Sequence, residues 1–143
     1  MYSTPDSYTR QAVLTATPAQ LVLMLFDGAI TAIGKARFAH AQGYESIEIV
    51  NRELQRVQAI VDELHLSLDQ DNGQPIAGNL ALLYAHCQGQ LLQANVTKDL
   101  VYLDSVENTL SELREAWDEA CVQGAPEVAA NPQFEAVGAV AYG

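Results

Sequence analysis

Apolar residues recur at alternating three- and four-residue spacing through most of this chain, and nowhere with the period of two that a half-buried strand requires. The pattern predicts four helices. The first opens at Thr17, a capping residue, with Pro18 where no N–H is needed and Gln20 where a capping-box partner reaches back. Leu21, Leu25, Ala29, Ala32 and Ala36 form its stripe, and Val22, Leu23, Phe26, Ile30 and Ile33 widen the apolar arc to roughly 200°. So broad a face exceeds what one core needs and implies that something else covers part of it.

The second segment, about residues 45–68, follows Gly43 and lines up Ile47, Val50, Leu54, Val57, Val61, Leu64 and Leu68 as a packing seam. Asn72-Gly73 favours positive backbone angles and Pro75 suits a helix start, so a turn separates it from the third segment, about residues 75–94. There Ile76, Leu80, Leu83, Tyr84, Cys87, Leu91 and Ala94 face one way, and Asn95 is expected to close the helix in a left-handed conformation. With Thr97 as its cap, a fourth helix presents Leu103, Val106, Leu110, Leu113, Trp117 and Ala120 and ends at about residues 121–124. Segments of about 20 residues joined by short polar turns make an all-α, antiparallel up-and-down four-helix bundle over residues 17–122. Residues 1–16, with Tyr2, Tyr8, Val13 and Leu14 among polar neighbours, suit a segment that docks on an apolar groove and can leave it. Residues 123–143, rich in Ala, Gly and Pro, read as a flexible tail.

At 143 residues with 49% hydrophobic content, the chain has the size of one domain. Its net charge of -11 repels phosphate backbones and anionic membrane surfaces, and its seven basic residues are spread along the sequence, so nucleic acid is not an expected partner. The opening residues lack a charged region followed by an apolar run, and no apolar run approaches the roughly 20 residues that cross a bilayer, so neither a secretory leader nor membrane insertion is expected. Cys87 and Cys121 fall on core-facing positions without metal-ligand spacing and read as small buried apolar residues of a reducing cytoplasm.

Catalytic chemistry is absent from the pattern. A di-iron bundle needs Glu-x-x-His on two helices, whereas this chain offers a lone Asp62-x-x-His65, and His40 and His86 lack ligand partners at helical spacing. No glycine-rich phosphate loop, nucleophile elbow or Cys-x-x-Cys occurs, so no enzyme, metal site or cofactor is expected. What remains is apolar side chains off the core stripes. Leu82 projects among Asn79, His86 and Gln93, and Leu92, Val101, Leu23 and Phe26 also stand aside from their seams. Several such residues on neighbouring helices point to a groove for an apolar helix.

These residues also carry a family resemblance. Thr15-Ala16-Thr17-Pro18 and the run from Gln20 to Ala29, then Ile76-Ala77-Gly78-Asn79-Leu80 with Leu83-Tyr84, Leu91-Leu92-Gln93-Ala94-Asn95 with Lys98-Asp99, Val106-Glu107, and Leu113-Arg114-Glu115-Ala116-Trp117 together resemble the flagellar secretion chaperone FliS family over about residues 8–120. Phe26 stands where a tyrosine is frequent in that family, and the alanine-rich tail has no counterpart. The resemblance implies a catalytically inert cytoplasmic protein that binds the disordered C-terminal segment of flagellin, preventing premature polymerisation and keeping it ready for flagellar type III secretion. It further implies that the client wraps the bundle as separated helices and that the chaperone's own N-terminal segment occupies part of the same surface. By position, Tyr8, Val13 and Leu14 become the plug. Leu23, Phe26 and Ile30 on the first helix, Asn79, Leu82, His86 and Leu92 on the third, and Val101 become client contacts. An export-apparatus component, a co-chaperone and a second copy are further partners that it leaves open. The alternative is a structural homo-oligomer without a flagellin client.

Overall fold

The computed structural model describes residues 10–68 apart from residue 12, and residues 75–123, with the backbone alone for 75–77 and 123. Among the described residues the chain forms α1 (Pro18–Ala41), α2 (Ile47–Leu66), α3 (Pro75–Thr97) and α4 (Leu103–Gln123). Short 3-10 turns at Tyr44–Ser46 and Leu100–Tyr102 lead into α2 and α4. Each helix packs against its neighbours in sequence, and α4 returns to α1 to close the ring. Cross-links fix the antiparallel register. The Arg37 guanidinium meets Asp104 at 2.8 Å, the Arg114 Nε–H donates to Asp27 at 2.8 Å, and the Trp117 indole N–H donates to the Ala19 carbonyl at 2.8 Å. Between α2 and α3, the Gln88 amide donates to the Gln58 carbonyl and to Asp62, while the His65 and Tyr84 rings lie 6.2 Å apart.

The ends of the helices follow local chemistry. Gln20 N–H donates to Thr17 Oγ1 and Thr17 N–H to Gln20 Oε1, the reciprocal capping box expected from the sequence. Gly43 takes a φ of 102°, which needs a residue without Cβ, and the chain reverses there into α2. At the far end of α3 the left-handed residue is Lys98, with φ 59°, and not Asn95. The helix runs on to Thr97, whose hydroxyl donates to the Gln93 carbonyl, and Lys98 Nζ reaches the Asn95 side chain at 2.7 Å. Thr97 therefore finishes α3. Asp99 opens the next turn, accepting from Val101 N–H at 3.1 Å.

The largest fully buried side chains, among them Leu25, Ile33, Leu54, Ile60, Leu64, Leu91, Leu103 and Leu110, come from all four helices. The bundle itself consumes most of the broad apolar arc of α1. Ten α1 residues are buried, because the helix is flanked by two neighbours: Leu21, Ala32 and Ala39 lie on one edge, and Ala19, Phe26 and Ile33 recur every seven residues on the edge of Arg37, which bonds α4. Phe26, at 2% exposure, is thus a core residue and not an accessible contact. The 24 residues of α1 are, by length and composition, apolar enough to cross a bilayer, contrary to the sequence reading. Half of its most apolar stretch is buried within the bundle, as befits a core helix.

The end of the bundle that holds the start of α3 and the end of α4 is looser. Leu83 is exposed, and Leu80, Leu113, Trp117 and Cys121 are only partly covered. Ahead of α1, Val13 and Ala16 pack on the core. Of the tail expected at 123–143, only Gln123 is described, as the last residue of α4; Tyr8 also lies outside the described residues. Replacing Leu110 or Phe26 with Ala should lower the unfolding free energy by roughly 2 to 5 kcal/mol, through lost transfer energy and the cavity left behind. Urea denaturation checks this, and a loss below about 0.5 kcal/mol for either would take that residue out of the core.

Candidate functional site

Helix α3 is apolar on both sides and carries no Asp, Glu, Lys or Arg. Its inward side buries Tyr84, Cys87, Leu91 and Ala94. Gly78, Leu82, Ala85, Gly89, Leu92 and Val96 follow one another at spacings of four and three on the opposite side, and every one is exposed. This is the alternation by which one helix receives another. Leu82, Leu92 and Val96 are 72%, 55% and 73% exposed, an apolar row that no described residue covers, in a protein of net charge -11.

The glycines sharpen the argument. A glycine inside a helix costs about 0.5–1 kcal/mol relative to alanine. A Cβ added at Gly78 or Gly89 would meet nothing within 4 Å, so packing among the described residues does not require either glycine. At both positions the row carries no side chain, which leaves room for a closely approaching backbone.

Of the residues singled out in the sequence, the structure gathers Asn79, Leu82, His86 and Leu92 along this outward side, all exposed. Val101 is exposed in the turn just beyond the end of α3. On α1, Leu23 and Ile30 are half-buried, so they offer only edges. Val13 is half-buried against the core, whereas Leu14 beside it is exposed. Val96, Gly78, Ala85 and Gly89 were missed by the sequence reading, although their spacing with Leu82 and Leu92 was the available signal.

The inward side has its own electrostatics. Burial pushes the Cys87 thiol up from an ordinary 9.0 to about 11, and burial followed by the neighbouring Cys87 raises the Tyr84 phenol. Burial, with help from Asp118, also raises Cys121 at the looser end. Both α3 groups are held neutral, which suits a core and not a nucleophile. Because folding raises the Cys87 value, the associated stability is fully present below about pH 9 and is lost as the pH climbs towards 11. Urea midpoints should accordingly hold steady from pH 7 to 8.5 and then fall. In the native state at pH 8, iodoacetamide should modify Cys121 while sparing Cys87, as peptide mapping would read; equal labelling would contradict this burial.

The described residues thus form a closed ring of four helices in which α3 carries no Asp, Glu, Lys or Arg and keeps an apolar row exposed. In sequence, the chain matches the family described as flagellar protein FliS over residues 1–124. It is 41% identical to the flagellar secretion chaperone FliS of Salmonella typhimurium over 107 residues, covering 74% of this chain and 78% of that one. It is also 32% identical to the flagellar secretion chaperone FliS of Bacillus subtilis over 80% of this chain and 83% of that one. With the flagellar secretion chaperone FliSB of Pseudomonas aeruginosa it shares 31% identity over 74% and 82% of the two chains. The chain belongs to the FliS family.

Proposed function

We propose that this protein is a cytoplasmic flagellar export chaperone that receives the disordered C-terminal segment of flagellin as helices, prevents its premature polymerisation and keeps it competent for type III secretion. Its relatives' names supply the class of role, since they are flagellar secretion chaperones. The outward seam of α3 carries the reading, because it presents apolar residues at the spacing of a helix partner with no charge to repel one. Ordering a disordered client costs about 2–5 kcal/mol, so the contact has to bury a large area, and a client that also reaches Val101 and the edges of Leu23 and Ile30 supplies it. Residues 1–16 act as a plug through Tyr8, Val13 and Leu14. While docked they lower the apparent client affinity by the fraction of time they occupy the surface. The bundle of residues 17–122 acts as a scaffold without catalysis, and its acidic surface keeps the loaded complex soluble.

Calorimetric titration with a flagellin C-terminal peptide tests this directly. Leu82→Asp should weaken binding at least tenfold, about 1.4 kcal/mol, while leaving stability within about 0.5 kcal/mol, because Leu82 touches no core. Gly89→Ala should raise stability by about 0.5–1 kcal/mol and still weaken the peptide, since its new methyl enters the seam. Absence of binding by the unaltered protein would overturn the reading in favour of a structural homo-oligomer. Undiminished binding by Leu82→Asp would move the client to another face.

A further inference from the structure

Where α1 and α2 lie side by side, the last turns of one and the first turns of the other enclose a groove of about 490 Å³, and none of its lining belongs to α3. Phe38, Ala39, Ile49 and Gly34 give it an apolar floor, and a Cβ at Gly34 would meet nothing within 4 Å. Lys35 and Arg52 stand on the rim, both exposed. Glu53 lines the same groove although it is only 5% exposed, and its Oε2 accepts no hydrogen bond among the described residues. Arg52 and Arg56 approach its carboxylate at 3.8 and 3.9 Å, enough to balance its charge without supplying that bond. An occupant suited to this groove brings an apolar side chain, a carboxylate for the rim and a hydrogen-bond donor for Glu53.

The corner beside the groove carries all three. Gly43 turns the chain out of α1, and Tyr44 and Glu45 follow it, both exposed, Tyr44 to 88%. Tyrosine joins an apolar ring to an O–H donor, and at that exposure Tyr44 does not fill the groove of its own copy. We infer that the groove receives Tyr44 and Glu45 of a second copy of this chain and lends its own pair in return, an isologous two-fold contact. Residue spacing fits such an exchange. On α2, Ile49 lies five residues after Tyr44 and four before Glu53, and on α1, Phe38 lies three after Lys35 and four before Gln42. Phe38 and Ile49 thus mark the middle of the groove, about 5–8 Å from either end. A two-fold axis at their level, with the α1–α2 pairs of the two copies antiparallel, lays Tyr44 and Glu45 of each copy over Lys35 and Glu53 of the other. Phe38 and Ile49, 71% and 40% exposed, meet their counterparts at the axis. Glu45 faces Lys35 and Arg52 of the second copy, and the tyrosine ring settles where Gly34 has no side chain. Its O–H reaches the Glu53 carboxylate, whose two oxygens exchange by rotation about a broad terminal torsion. The net charge of -11 on each copy opposes the approach, but a screening length of about 8 Å at physiological salt damps that repulsion more than it damps charges in contact. One groove and one corner on each side make a small interface, the class that associates weakly and reversibly. The contact uses no residue of α3 and rests on no assumption about the client.

Sedimentation velocity and amide resonances of the full-length protein test this at physiological salt. Between about 5 and 500 µM the sedimenting species should pass from one copy to two, and the signals of Gly34, Phe38, Ile49 and Arg52 should move with concentration while those of Leu82 and Leu92 stay in place. Gly34→Leu, whose side chain meets open space in the single copy, should raise the dissociation constant at least about tenfold without lowering the urea midpoint. Tyr44→Phe, which keeps the ring and removes the donor, should raise it about threefold. Glu45→Lys should weaken association about tenfold, and adding Lys35→Glu to the same chain should restore it, because the charge pair forms again in reverse. A chain that stays single at every concentration would overturn the inference and leave the groove to a different protein. A dimer indifferent to Gly34→Leu and Glu45→Lys would overturn it too, as would one abolished by Leu82→Asp, which places the contact on the α3 seam. Groove signals that respond to Tyr44→Phe without any dependence on concentration would likewise overturn it, by seating the corner of the same copy there.

Discussion

Close burial of α1 between two partners is the constraint on which everything else in this molecule rests. Ala29 and Ala36 along its centre and Ala32 on its edge are essentially inaccessible, and side chains this small let neighbouring helices pack closely. Leu25 and Ile33 then interlock with Leu54, Ile60, Leu103 and Leu110 in the one hydrophobic cluster. The polar links between α1 and α4, Arg37 with Asp104 and Arg114 with Asp27, are partly exposed and contribute little energy singly. Their value is register: they admit one sliding position of α4 along α1. Once α1, α2 and α4 are set, α3 has a single place left, and its inward stripe fills it.

Because α1 satisfies its own breadth inside the bundle, spare apolar surface is displaced to α3. That helix is needed by the core only along Tyr84, Cys87, Leu91 and Ala94, and the rest of its circumference is released from structural duty. A stable scaffold with an uncommitted helix face fits a protein whose partner must come and go. The core does not have to open for this face to be reached.

The four helices and most of their core were legible in the sequence because amphipathic spacing reports burial directly, as Leu54, Leu91 and Leu110 show. Legibility failed where burial depends on how many neighbours a helix has. Phe26 lies well away from the centre of the α1 stripe and was expected at the surface, yet α4 covers that edge. Leu83 sits among inward residues by spacing, yet it is exposed near the looser end of the bundle. The end of α3 was misplaced for another reason: Lys98 takes the left-handed position through bonds from its own ammonium to Asn95, a choice that residue preferences do not encode. The candidate surface was half visible. Leu82, Asn79, His86 and Leu92 announced themselves as exceptions, whereas Phe38, Ile49 and Lys35 become one groove only after α1 and α2 are laid side by side.

The reciprocal bonds between Thr17 and Gln20 have a mechanical corollary. These two side chains and the proline at position 18 complete the first turn of α1 from within, where the Leu21 N–H also donates to the Thr17 carbonyl at 3.0 Å. Val13 and Ala16 pack on the core, and the Ala16 N–H donates to the Val13 carbonyl at 3.3 Å. The helix's own bonding therefore begins at Thr17, and that residue is the mechanical boundary between α1 and whatever precedes it.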